Sequence, residues 1–128
     1  MSPTARTLKQ LRDDGWLCQV VEHWNSFARK RQDLFGFIDI LAVREGQTLG
    51  IQVTTESNAS ARRSKMLDTE SHLRAFLRGG NLVQLWTWQK RKTRWRYRIR
   101  RFIENGSQLG MDEKVKSMIL VEDEGWNA

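Results

Sequence analysis

Phe37-Ile38-Asp39-Ile40-Leu41-Ala42-Val43-Arg44-Glu45-Gly46-Gln47-Thr48-Leu49-Gly50-Ile51-Gln52-Val53-Thr54-Thr55 is the stretch on which the fold turns. Its first seven residues are apolar apart from Asp39, and Leu49 to Thr55 form a second run rich in β-branched residues. Such runs read as buried strands, and Glu45-Gly46 between them supplies the two central residues of a tight hairpin turn. Placing the turn there pairs Arg44 with Gln47, and counting back along both strands sets Asp39 opposite Gln52 on one face. A slip of one residue would destroy that pairing, so the register carries the prediction.

Upstream, Thr4 is a candidate N-cap for a helix through Leu8 and Leu11 that stops at Asp13-Asp14-Gly15. Trp16 to Glu22 is rich in strand formers, after which Asn25-Ser26 opens a polar, basic loop carrying Arg29, Lys30 and Arg31. Downstream, Ser57 or Asn58 caps a helix over 59–77, where Met66, Leu67, Leu73, Phe76 and Leu77 recur at near-helical spacing and Gly79-Gly80 ends it. Leu82 to Trp88 is the next strand. A basic turn follows, and then Trp95, Tyr97 and Ile99 alternate with Arg94, Arg96, Arg98 and Arg100, which predicts one buried and one arginine-lined face. From Ser107 the pattern weakens to a short helix around Met111 to Ile119 and a loose tail from Val121 to Ala128. The order helix, strand, hairpin, helix, strand, strand suits an α/β fold, a mixed central β-sheet flanked by helices with a basic C-terminal β-hairpin. We expect one domain over 1–106 and an acidic extension over 107–128.

At 128 residues the chain is long enough to bury a core in one domain. No apolar run approaches the length of a membrane span, and no basic stretch with an apolar core opens the chain, so we read the protein as cytoplasmic, without a membrane partner. The single cysteine, Cys18, forms no internal disulfide, and with only His23 and His72 it makes no zinc cluster; a buried thiol on a strand is the expectation. Lysine plus arginine is 22 against 15 acidic residues, a net charge of +7, which favours phosphate-bearing partners through attraction and counterion release.

Asp39 leads the candidates for chemistry. A carboxylate inside an apolar strand is costly to bury unless it is paired or binds a cation. Gln52 and Thr54, two apart on the neighbouring strand, share a face and offer oxygen to a hard cation. The alternative is an Asp39 at a sheet edge, exposed or hydrogen-bonded.

An aspartate in a hydrophobic strand, a short turn, a second strand with polar positions two apart and then a helix resembles the core of the PD-(D/E)XK nucleases, the restriction-endonuclease-like and junction-resolving superfamily. The resemblance covers about Leu8 to Trp88, and Asp33 through Thr55 looks like small phage-borne members. It implies that Asp39 takes the metal-binding aspartate position, Gln52 the second acidic position and Thr54 the position usually held by lysine. Glutamine brings an oxygen but no charge, and threonine cannot stabilise developing phosphate charge as an ammonium does. By the same resemblance Lys65, on the following helix, would act as a migrated lysine, and Glu22 would add a further carboxylate from the first strand. Asp33 approaches the metal if its loop folds back. The implied site is then catalytic Asp39, Gln52, Lys65 and Glu22, with Mg2+ or Mn2+ held by Asp39, Gln52 and Glu22. The implied activity is hydrolysis of DNA phosphodiester bonds in a bacterial or phage-infected cell. Nucleases of this kind often pair to cut two strands, which makes a homodimer an arrangement to test.

Arg94, Arg96, Arg98 and Arg100 would stand about 7 Å apart along one strand face, at ~3.3 Å per residue, a spacing suited to tracking a phosphate backbone. Lys90, Arg91 and Lys92 add charge at the adjoining turn, and Lys30, Arg31, Arg62 and Arg63 offer a second contact area near the metal site. The bland reading of the arginine row is a solvated edge strand protected by charge. Among the six tryptophans, Trp24 and Trp88 are the best candidates for exposure and base stacking. Two other functions fit the same residues. One is a catalytically silent relative that binds nucleic acid, and the other a small phage regulatory protein that uses its arginine strand against an acidic protein partner.

Overall fold

The computed structural model describes residues 1–105 and 118–127. Helix α1 spans Pro3–Asp13; strands β1, β2 and β3 span Leu17–Val20, His23–Asn25 and Lys30–Gln32; β4 is Ile40–Arg44 and β5 Gln47–Thr55. A short 3-10 turn, Glu56–Asn58, leads into α2 (Ala59–Asp68) and α3 (Glu70–Arg78), followed by β6 (Leu82–Arg91), β7 (Arg94–Asn105) and β8 (Met118–Asn127).

Six strands form one mixed sheet in the order β1-β4-β5-β6-β7-β8, in which β5 and β6 run parallel and all other neighbours antiparallel. The parallel pair needs a crossover, and α2 and α3 supply it. Strand periodicity then divides the core. Ile40, Ala42, Leu49, Ile51, Val53, Trp86 and Trp88 face α1 through Leu11, while Val83, Leu85 and Phe102 join Phe37, Ile38, Met66 and Leu73 beneath α2 and α3. Cys18 is buried on β1, as expected.

The β4–β5 hairpin has the predicted register, Arg44 opposite Gln47 and Ile40 opposite Ile51, with Gly46 at a φ of 73° in the turn. Gly50, on the α3 side of β5, marks a close approach: a Cβ there would lie 2.9 Å from Ile38 Cδ1 and 3.0 Å from Phe76 Cε2. Both neighbours are held in the packed layer under α3, so overpacking cannot be relieved freely. Gly50→Val should cost about 1–3 kcal/mol by denaturant unfolding; a variant as stable as the parent would show that this layer yields.

Four expectations change. The first helix is capped by Ser2, whose Oγ accepts from Ala5 N, rather than by Thr4. The helix expected over 59–77 breaks at Thr69, because its hydroxyl donates to the Met66 carbonyl (2.7 Å) and its ψ of 35° leaves the helical range. The basic loop expected from Asn25-Ser26 is shorter than expected: residues 26–29 form a turn, and Lys30 and Arg31 lie in β3, which pairs with β2 as a two-stranded ribbon. Finally, the stretch expected as a loose tail is β8, paired along β7 from Tyr97 to Asn105. Its carboxylates meet β7 arginines across the strands, which a view of the tail in isolation cannot supply. The helix expected from Met111 falls mostly outside the described residues; Met118 and Ile119 belong to β8.

Candidate metal centre and basic surfaces

Asp39 stands one residue before β4 and continues its ladder: its N–H donates to the Ile51 carbonyl (2.8 Å) and its own carbonyl accepts from Val21 N (2.8 Å). This locks the backbone between β1 and β5 and aims the side chain at the far end of β5. There Asp39 Oδ2 accepts from Gln52 Nε2 (2.6 Å) and from the Val53 N–H (2.9 Å). Asp39 is 5% exposed. The acid and the amide therefore meet across the hairpin, in the register the sequence predicts.

Two further carboxylates converge on it. Glu22 lies between β1 and β2, and Asp33 directly follows β3. Segment 33–38 folds back on itself: Leu34 N donates to the Ile38 carbonyl and Ile38 N to the Leu34 carbonyl (both 3.0 Å), while Phe35 and Gly36 adopt positive φ of 54° and 81°. That reversal brings Asp33 to Asp39, so that one oxygen each from Glu22, Asp33 and Asp39 lies within 4.8 Å of the others. Burial, first, then the hydrogen bond its protonated form donates to Asp33 and the charges of Asp33 and Glu22 push the Asp39 carboxyl up to about 8, against the opposing pull of the Val53 N–H. Three hard oxygen donors crowded to this degree suit a hard divalent cation, which would remove the need for that proton.

Gln52 presents its N–H to Asp39 and so orients the carboxylate, whereas Asp33 completes the acidic group. Thr54 is buried on the same face of β5 as Gln52. Lys65 is exposed on α2 and makes no hydrogen bond or ion pair to the cluster among the described residues. The cation that does reach it is Arg31, whose Nη1 lies 3.0 Å from Glu22 Oε1.

The basic surfaces divide as well. Lys90, Arg91, Lys92 and Arg94 are exposed at the β6–β7 turn, and Arg63 is exposed and Arg62 half-buried on α2. Arg98 and Arg100 are not free to track phosphate. Both contact Glu56 Oε1 (3.2 and 2.9 Å), Arg98 Nε also reaches Asp123 (2.9 Å), and Arg100 Nη1 donates to Thr87 Oγ1 (3.0 Å), whose hydroxyl donates in turn to Glu56. Arg96 donates to Gln89 Oε1 and lies over the Trp126 ring. The continuous four-arginine row expected from periodicity is thus interrupted by acidic partners from other strands and turns. Trp88 is buried, 7% exposed, with its Nε1–H on Thr7 Oγ1 (2.8 Å), whereas Trp24 is 61% exposed.

A scan of the chain against protein-family models finds no match, and searches of curated proteins and of solved structures likewise find none. No helix among the described residues is long and apolar enough to cross a membrane.

Proposed function

We propose that this protein is a metal-dependent endonuclease that hydrolyses DNA phosphodiester bonds on a restriction-endonuclease-like core. The observation that carries the reading is the meeting of Glu22, Asp33 and Asp39 beside the Gln52 amide. The element order supports it: helix, strand, hairpin, helices and a strand parallel to the second hairpin strand place the cluster near the carboxyl end of the parallel pair, where open α/β sheets bind ligands. A bound Mg2+ or Mn2+ would polarise the scissile phosphate and lower the pKa of an attacking water.

The chain's own residues have separate tasks in this scheme. Glu22, Asp33 and Asp39 hold the ion, while Gln52 and the Val53 N–H fix the Asp39 carboxylate. Arg31 sets positive charge beside Glu22. The turn from Lys90 to Arg94 begins five residues past Leu85, the partner of Gln52, roughly 17 Å along β6 at ~3.3 Å per residue. A duplex crossing the cluster would meet it, and three charge-neutralising substitutions there should flatten the salt dependence of binding; an unchanged slope would exclude the turn from the interface.

The direct test is hydrolysis. Purified protein with Mg2+ or Mn2+ should nick plasmid, linear or branched DNA, and calorimetry should detect one divalent site. A second reading, a silent nucleic-acid-binding relative, is favoured by Thr54 and by the solvated Lys65; binding to DNA with neither a cation site nor cleavage would decide for it.

A further inference from the structure

We propose that the β2–β3 ribbon is a base-stacking wedge that selects nucleic acid with unpaired bases for the acidic cluster at its foot; the inference rests on the nuclease reading and names the substrate class of that site. The two ends of the ribbon are themselves site residues, since Glu22 immediately precedes β2 and Asp33 immediately follows β3. Whatever the ribbon touches is therefore presented to the carboxylates.

Its construction is unlike that of the rest of the surface. The ribbon pairs only with itself, His23 to Gln32, Trp24 to Arg31 and Asn25 to Lys30, and stands outside the six-stranded sheet. Its tip is set by Asn25, whose Oδ1 accepts from Phe27 N (3.0 Å) and Ala28 N (3.1 Å), and by Arg29 at a positive φ of 51°. This held turn presents Phe27, 100% exposed, and Trp24 on β2 is 61% exposed. Arg29 and Lys30 follow in the chain, exposed and positively charged, and Arg31, the cross-strand partner of Trp24, is exposed with its guanidinium on Glu22.

Two solvated aromatics on a cationic finger match what unpaired nucleotides require, a flat apolar partner for each base and cations for the phosphates. A protein-docking face of the same apolar area would gain nothing from three adjacent cations unless its partner were acidic. Fully paired DNA hides its base faces inside the stack, so these rings discriminate for bulges, gaps, flaps and single strands, whereas the cations serve every form equally.

The test measures affinity of the full chain, in EDTA at fixed salt, for a matched duplex, the same duplex with a three-nucleotide bulge, and the single strand. The parent should prefer the bulged and single-stranded forms. Phe27→Ala and Trp24→Ala, at exposed positions that leave the core untouched, should each weaken those two forms roughly tenfold with little change for the matched duplex, and Phe27→Trp should keep the preference. Equal affinity for all three forms, or a preference that survives the double Phe27→Ala, Trp24→Ala variant, would overturn the wedge. So would gel filtration showing a dimer that Phe27→Ala converts to a monomer, which would make the tip a contact between copies. Because EDTA removes any dependence on catalysis, a preference without cleavage in Mg2+ or Mn2+ would overturn the nuclease reading alone, and cleavage without a preference the wedge alone.

Discussion

Asp39→Ala is expected to abolish DNA cleavage, lowering it by more than about 100-fold, since loss of a residue that merely orients a metal ligand already costs 10–100-fold and Asp39 would be a ligand itself. Cleavage surviving this change would point to another site. Asp39→Asn makes the sharper companion, because it keeps an oxygen for the Gln52 and Val53 N–H groups and removes only the charge. The sign of the pH effect follows from the raised carboxyl, at about 8 in the folded protein against 3.8 for the ordinary group. Between those values the folded metal-free protein keeps a proton that the unfolded chain has released, so this stabilising contribution is complete below about pH 3.8 and is lost as pH rises to about 8. In EDTA the parent should therefore lose thermal stability relative to Asp39→Asn across that window. At pH 8, Mn2+ at about 100 times its Kd should stabilise the parent by about 2.7 kcal/mol and leave Asp39→Asn nearly unchanged. Equal stabilisation of both would remove Asp39 from the ion's surroundings.

Glu56→Ala should be the most damaging single change outside the hydrophobic layers, at about 2–3 kcal/mol by denaturant unfolding. Glu56 links the turn after β5 to Thr87 on β6 and to Arg98 and Arg100 on β7, and the side chains of Glu56 and Arg100 are only 18% and 13% exposed. Removing the carboxylate leaves Arg100 poorly solvated, with the Thr87 hydroxyl at 3.0 Å and a distant Asp123 carboxylate at 4.0 Å, the costly way to break a buried pair. Arg98 keeps Asp123, which limits the loss. Partial burial opposes ionisation of Glu56, but Arg100, Thr87 and Arg98 outweigh it and hold the carboxyl below its ordinary 4.5. The stabilisation is therefore present above pH 4.5 and is lost as the medium becomes more acidic and passes through the lowered value. The parent should converge with Glu56→Ala in strong acid; a gap that persists there would mean that Glu56 acts through packing.

The parts of this arrangement that were legible in the sequence are those set by short-range rules. A two-residue turn at Glu45-Gly46 dictates the register, and the register alone brings Gln52 to Asp39. Asp33 was harder, because its approach depends on a reversal in which Phe35 takes a positive φ as well as Gly36. The row of arginines shows the limit of periodicity: alternation says that Arg98 and Arg100 share a face, but not that Glu56, more than 40 residues earlier, occupies it with them. Trp88 fails in the same way, its indole N–H finding Thr7 81 residues away. The ribbon was hidden for a different reason, since three-residue strands pairing only with each other leave almost no alternation to read.

The strand order has a consequence for how the molecule comes into being. Within the main sheet every strand lies beside the one made just before it, from β1 at one edge to β8 at the other. During synthesis at ~5–20 residues per second, the sheet can widen one strand at a time behind the ribosome. Glu22, Asp33, Asp39 and Gln52 all lie within the first 52 residues, so the acidic corner can be assembled before the arginines of β7 leave the exit tunnel to compete for its charge.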